Sequence, residues 1–119
     1  MAIPQQVDVF KVFKLQVIKN GDNLSFPKKG NTLRVHYEAF MTKTGKKFDS
    51  SRDRNETFEL VLGSGQVIEG WEEVLSKMSI GEVVRFTLPP AYAYGKTGLP
   101  GLVPPGSELT FEVELISYE

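Results

Sequence analysis

The chain contains no cysteine. That excludes disulfides, thiolate nucleophiles and cysteine-ligated metal sites, and it fits a reducing compartment. Histidine occurs once, as His36. Nucleophilic catalysis needs a base and a nucleophile within reach of each other, and metal sites need several ligands. A lone imidazole on the polar face of a strand reads as a structural or exposed residue, and neither a metal nor a cofactor is expected. Charge of one sign is also missing. The 14 basic and 15 acidic residues leave a net charge of -1 and are interleaved, unlike the basic footprint of a nucleic-acid binder. No apolar run is long enough to span a bilayer. The opening Met1-Ala2-Ile3-Pro4 has no basic segment leading into an apolar one, so no signal peptide is expected. These absences lead us to expect a cytoplasmic protein with no nucleic-acid or membrane partner.

What the chain does have is alternation. Its 119 residues, 40% of them hydrophobic, suit a single domain. Apolar residues recur at period two in Phe13, Leu15 and Val17, then in Leu33, Val35, Tyr37 and Ala39, and again in Phe58, Leu60 and Leu62. Further strands are expected through Val84, Phe86 and Leu88 and through Leu109, Phe111, Val113 and Leu115. One stretch changes period: Ile68, Trp71, Val74, Leu75 and Met78 share a helical stripe. Gly70 is a weak helix former, which suggests a close backbone approach. Many strands and one short helix indicate an α+β domain, with the helix packed on one face of an antiparallel sheet. Residues 1–13 read as an N-terminal extension and 14–119 as the domain. Residues 89–107 are rich in proline and glycine and lack periodicity, and loops of that length are usually functional.

The usual catalytic signatures are missing. Gly63-Ser64-Gly65 lacks the lysine and spacing of a phosphate loop. Glu72 and Glu73 are adjacent in a helical stretch and face different directions. Aromatic residues are the remaining resource: Tyr37, Phe48, Phe58, Trp71, Tyr92, Tyr94 and Phe111 come from several elements. Most aromatics in a small domain serve as core. Tyr92-Ala93-Tyr94, however, lies in the long loop, and Asp49 directly follows Phe48.

Five separated segments then fall into a known order. Val35-His36-Tyr37, Gly45 through Asn55, Gln66 through Glu73, Ala91-Tyr92-Ala93-Tyr94-Gly95 and Pro104-Pro105 resemble the FKBP family, the macrolide-binding immunophilins. The likeness runs from about Leu15 to the end of the chain and is nearest to the small single-domain cytosolic members. It implies a five- to six-stranded antiparallel sheet wrapped around one short helix, and isomerisation of the peptide bond before proline. It also implies binding of tacrolimus and rapamycin, with drug-dependent recruitment of calcineurin or the TOR kinase. The same pocket could instead serve a non-catalytic module that holds proline-containing partners.

Roles follow from the resemblance position by position. Trp71 forms the pocket floor. Tyr37, Phe58, Val67, Ile68 and Phe111 form apolar walls, with Phe48 beside them and Gln66 among the ligand contacts. The Ile68 N–H and the Tyr94 hydroxyl donate to substrate carbonyls. Asp49 accepts a hydrogen bond and is held by Arg54 or Tyr37. Leu99, Leu102 and Val103 contribute from the long loop. The chain departs from the family pattern at Ala39, where glycine is usual, at Leu99 and Val103, and in a hairpin around Thr42-Lys43-Thr44 that is one residue longer. Ile3-Pro4 and Leu99-Pro100 are apolar-residue–proline pairs of the kind the pocket accepts, so a mostly monomeric protein with weak self-association is expected.

Overall fold

The computed structural model describes residues 9–119, so Ile3-Pro4 lies outside the described residues. In chain order the elements are α1 (Val9–Val12), β1 (Gln16–Lys19), β2 (Thr32–Met41), β3 (Lys47–Ser50), β4 (Phe58–Val61), α2 (Glu69–Leu75), β5 (Val83–Leu88), a 3-10 turn (Pro90–Tyr92) and β6 (Leu109–Tyr118). The strands make one six-stranded sheet in the order β1-β5-β6-β2-β3, with β4 also paired to β2. Every pairing is antiparallel. This is the expected α+β architecture, to which the single-turn α1 and the 3-10 turn are added.

β2 organises the site. Its inward residues Leu33, Val35, Tyr37 and Ala39 are buried, as alternation requires of a strand with one face on a core. One edge of β2 pairs with β6 along its length. The other edge is divided: Thr32–Val35 face β4, and Glu38–Phe40 face β3. Tyr37 lies at the gap between them. There its backbone N–H donates to Ser51 Oγ at 2.7 Å, and its carbonyl accepts the Ser51 N–H at 3.0 Å. Ser51 thus replaces a ladder partner for a buried backbone group, which is costly to leave unpaired.

At seven residues α2 is too short to be stable alone, so packing must hold it. It buries Gly70, Trp71, Val74 and Leu75 and carries Glu69 and Glu72 in its first turn, where acids suit the helix dipole. Met78, the last residue of the helical stripe, falls beyond its Ser76 C-cap. A Cβ on Gly70 would collide with the Leu88 side chain. The glycine therefore lets the helix lie directly against the end of β5, as the sequence suggested.

The start of the chain differs from expectation. Phe13 is not in a strand with Leu15 and Val17, because β1 begins at Gln16. Lys14 adopts φ 52, a left-handed conformation that breaks the extended chain. Val17 is exposed, whereas Phe13 is fully buried in the core. The core therefore begins inside the segment read as an extension.

Residues 89–107 are ordered by their own hydrogen bonds. Pro90 O accepts the N–H groups of Ala93 and Gly95, each at 2.9 Å. Leu99 and Val103 exchange backbone bonds at 2.8 Å in both directions. Gly98, at φ 69, sits where a Cβ would strike the Val103 carbonyl, so only glycine fits the turn.

Candidate active site

A cavity of about 370 Å³ opens between β2, β3, α2 and the 89–107 loop. Its base is Trp71, delivered by the buried face of α2 and only 4% exposed. Three rings stand nearly perpendicular to the indole: Tyr37 at 5.1 Å and 76°, Phe111 at 5.6 Å and 87°, and Phe58 at 6.1 Å and 82° between centroids. Edge-to-face geometry of this kind suits the aromatic quadrupoles and holds the indole in one orientation. The rings come from β2, β6 and β4, so the cage exists only once the sheet is closed around α2. The Trp71 Nε1–H is buried without a partner among the described residues.

Phe48 and Asp49 from β3 line one side, Gln66, Val67 and Ile68 the approach to α2, and Tyr94, Leu99 and Leu102 the loop side. Ile68 is the N-cap of α2, with an extended backbone and no side-chain cap. Its carbonyl is used by Trp71 and Glu72, while its N–H has no acceptor among the described residues. That freedom is ordinary for the orphan donors at a helix start. The Tyr94 hydroxyl likewise lacks a partner among the described residues. Burial raises the pKa of its phenol, and the Asp49 charge adds to the shift, so it remains a protonated donor.

Asp49, Tyr37 and Arg54 form a closed set. The Tyr37 hydroxyl donates to Asp49 Oδ2 at 2.7 Å. Arg54 donates from Nη2 to the Tyr37 oxygen at 3.0 Å and from Nη1 to Asp49 Oδ1. Burial alone would raise the Asp49 carboxyl, but the hydrogen bonds from Tyr37 and Arg54, with the guanidinium charge, outweigh it and hold the group below its ordinary value. Tyr37 moves the other way, raised first by burial and then by its bond to the carboxylate. The proton therefore stays on the phenol and the negative charge on Asp49.

Of the residues expected at the site, the structure brings Tyr37, Phe48, Asp49, Phe58, Gln66, Val67, Ile68, Trp71, Tyr94, Leu99, Leu102 and Phe111 to the cavity wall. Arg54 stands behind the wall as the clamp on Asp49 and Tyr37. Val103 is corrected: it is 3% exposed and belongs to the core cluster, and it is not among the residues that line the cavity, whereas Leu99 and Leu102 are. Ala39 and Gly65 also line the cavity. Ala39 was legible as an inward residue two positions after Tyr37, whereas Gly65 had no sequence signal beyond its place beside Gln66. His36 is half-buried, with Nδ1 2.9 Å from Ser51 Oγ. Since Ser51 is fully buried and accepts the Tyr37 N–H, the pair is structural and offers substrate no nucleophile.

The arrangement suits binding and reorientation. It presents an apolar, ring-walled space with free donors and no group able to attack or exchange a proton readily. Comparison with known proteins agrees. A family model described as FKBP-type peptidyl-prolyl cis-trans isomerase matches residues 24–116. The peptidyl-prolyl cis-trans isomerase FKBP1A of Xenopus laevis is 50% identical over 106 residues, covering 89% of this chain and 97% of the relative. A peptidyl-prolyl cis-trans isomerase of Schizosaccharomyces pombe is 49% identical over 102 residues, covering 86% and 90%. FK506-binding protein 1 of Saccharomyces cerevisiae is 48% identical over 103 residues, covering 87% and 90%. An aromatic cage carried on this sheet and helix, together with these matches, shows that the chain belongs to the FKBP-type peptidyl-prolyl cis-trans isomerases.

Proposed function

We propose that this isomerase turns the bond before proline inside the cavity over Trp71. The observation that carries the reading is the perpendicular cage of Tyr37, Phe58 and Phe111 around the indole, with the unpaired Ile68 N–H and Tyr94 hydroxyl at its edge. Rotation of a peptide bond is slow because it breaks amide resonance, a barrier of about 18–20 kcal/mol. A twisted amide has lost that resonance and its carbonyl is less polar, so water stabilises the planar ground state more. Moving the bond into an apolar cage disfavours the planar form relative to the twisted one. The proline ring rests on the indole while Ile68 and Tyr94 hold flanking carbonyls. Asp49, kept charged by Arg54 and Tyr37, fixes the polar wall against which the carbonyl turns. No covalent step or proton transfer is needed, and a thousandfold acceleration requires only about 4 kcal/mol.

The same cavity is read as the site for tacrolimus and rapamycin. Its lining supplies the apolar bulk and few polar contacts typical of small-molecule sites, and one relative carries FK506 binding in its name. A drug complex that engages calcineurin or the TOR kinase belongs to this reading, with Leu99 and the 42–44 turn altering the surface such a partner meets. A cytoplasmic location fits the absence of cysteine, and no helix among the described residues is long and apolar enough to cross a membrane. Among the described residues Leu99-Pro100 is the candidate for weak self-association, beside Ile3-Pro4 outside them. Leu99 is tied by two backbone bonds to Val103, which favours the monomer, and sedimentation of a Pro100→Ala variant at high concentration tests it.

The deciding experiment follows cis–trans exchange of an Ala-Leu-Pro-Phe peptide by NMR, with and without tacrolimus, in the parent and in Trp71→Leu. Acceleration that the drug abolishes and Trp71→Leu removes is expected. Acceleration that survives saturating drug would locate catalysis elsewhere.

A further inference from the structure

We propose that Phe13, supplied by the segment ahead of β1, is a positioning residue for Tyr94 and acts through the ring of Tyr92. The proposal rests on the reading of Tyr94 as a hydrogen-bond donor to substrate. Phe13 lies outside residues 24–116, the part of the chain that the family model matches. It is nonetheless fully buried.

Two contacts fix it at one place. Its backbone carbonyl accepts the Thr87 N–H at 2.7 Å, and Thr87 is bonded through Oγ1 to Thr110 Oγ1 at 3.1 Å. Phe13 is thereby tied to the last residues of β5, where the chain leaves the sheet for Pro89-Pro90. Its ring meets Tyr92 edge-to-face, with centroids 5.0 Å apart and planes at 73°. Such pairs are directional as well as apolar, so Phe13 fixes how the Tyr92 ring sits, and not just that the space is filled.

Tyr92 and Tyr94 belong to one turn. Tyr92 closes the 3-10 turn through its N–H to Pro89 O, and the N–H groups of Ala93 and Gly95, on either side of Tyr94, both converge on Pro90 O. The Tyr94 hydroxyl has no protein partner among the described residues, so no hydrogen bond at the far end of the side chain sets its direction. Its position follows from the packing of its ring and from the backbone of the turn, which is held after Tyr94 by Gly98 N–H to Tyr94 O at 3.0 Å and Gly106 N–H to Gly95 O at 2.8 Å and before it by the Phe13 ring on Tyr92. Without the Phe13 ring the turn keeps its hydrogen bonds but loses the side-chain anchor on its first half, and the Tyr94 hydroxyl spreads over a wider range of positions. Displacing a binding group in this way lowers the rate without removing any contact to substrate.

The experiment compares kcat/KM, urea midpoint and Tyr94 ring-proton NMR lines in the parent, Phe13→Leu, Tyr94→Phe and the double variant. Leucine keeps the position apolar, and the backbone bond to Thr87 is unaffected. Tyr94→Phe is expected to lower kcat/KM about three- to tenfold, the worth of one neutral hydrogen bond. Phe13→Leu is expected to lower it by a similar factor and broaden the Tyr94 lines, and the double variant should fall no further than Tyr94→Phe alone. A Phe13→Leu enzyme that is less stable but has unaltered kcat/KM when folded overturns the proposal and leaves the role of Tyr94 standing. Losses that multiply in the double variant overturn the path through Tyr94. Parental activity in Tyr94→Phe overturns the reading of Tyr94 and this inference with it. Should Phe13→Leu not fold, Tyr92→Leu removes the same ring contact from the other side and reads the same comparison.

Discussion

The hydroxyl of Tyr37 donates to Asp49 Oδ2 at 2.7 Å across the junction of β2 and β3, and the two groups titrate apart: burial and then this bond raise the phenol, while this bond and Arg54 lower the carboxyl against its burial. The carboxyl lies below its ordinary value and the phenol above its own. A carboxyl lowered in the folded state contributes stability that is fully present above its unfolded pKa and is lost as pH falls through the folded value. A raised phenol contributes below its unfolded pKa and loses that contribution as pH rises through the folded value. Stability owed to this pair is therefore level through neutral pH and declines first on the acid side. Urea midpoints taken from about pH 7 to about pH 3 should fall more steeply in the parent than in Asp49→Asn. Equal slopes would mean that the pair adds nothing to folding.

Trp71 serves both core and cavity, and Trp71→Leu separates the two. The lost volume should destabilise by about 1–3 kcal/mol, since leucine refills part of the space. If the indole is also the floor of the site, tacrolimus affinity measured on folded protein should fall by more than about tenfold, comparable to losing one ring contact. A stability loss with unchanged affinity would assign Trp71 to the core alone.

Gly70→Ala should destabilise in spite of alanine's better helix propensity. The new Cβ meets the side chain of Leu88, which is fully buried and cannot swing aside. Overpacking outweighs the propensity gain and leaves a net cost of about 1–2 kcal/mol. A urea midpoint at or above the parent's would show that α2 can lift away from β5.

Ala39 is buried at the cavity wall, opposite Asp49 on one side and Phe111 on the other. Ala39→Val adds two methyl groups at that wall. Short proline peptides should still be turned over, while the affinity of the bulkier tacrolimus should drop by about tenfold or more, in line with overpacking of about 1–3 kcal/mol. Equal losses for peptide and drug would place Ala39 away from the part of the cavity that selects for size.

Much of the domain was legible from periodicity. Alternation located β2, β4, β5 and β6, and the change of period located α2, because strand and helix each impose a repeat on which residues can be buried. Gly70 and its close approach were legible from propensity, as a weak helix former inside a helical stretch. The failures are local. Lys14 in a left-handed conformation carries no signature in a lysine, so Phe13 was read onto a strand face with Val17. Val103 is read as a rim residue beside Leu102 because a loop without periodicity does not say which of two neighbours is buried.

By itself the sequence determined the absence of cysteine chemistry, the α+β class, the aromatic set and, through five ordered segments, the family. Only the tertiary structure decided which rings face Trp71, that Arg54 clamps Asp49 and Tyr37, and that Phe13 reaches Tyr92. Burial period is a local property of the chain, repeated every two or 3.6 residues. The cage and its supports depend on how β3 and β4 share one edge of β2 and on where the 89–107 loop folds back, contacts between residues far apart in sequence that no local pattern encodes.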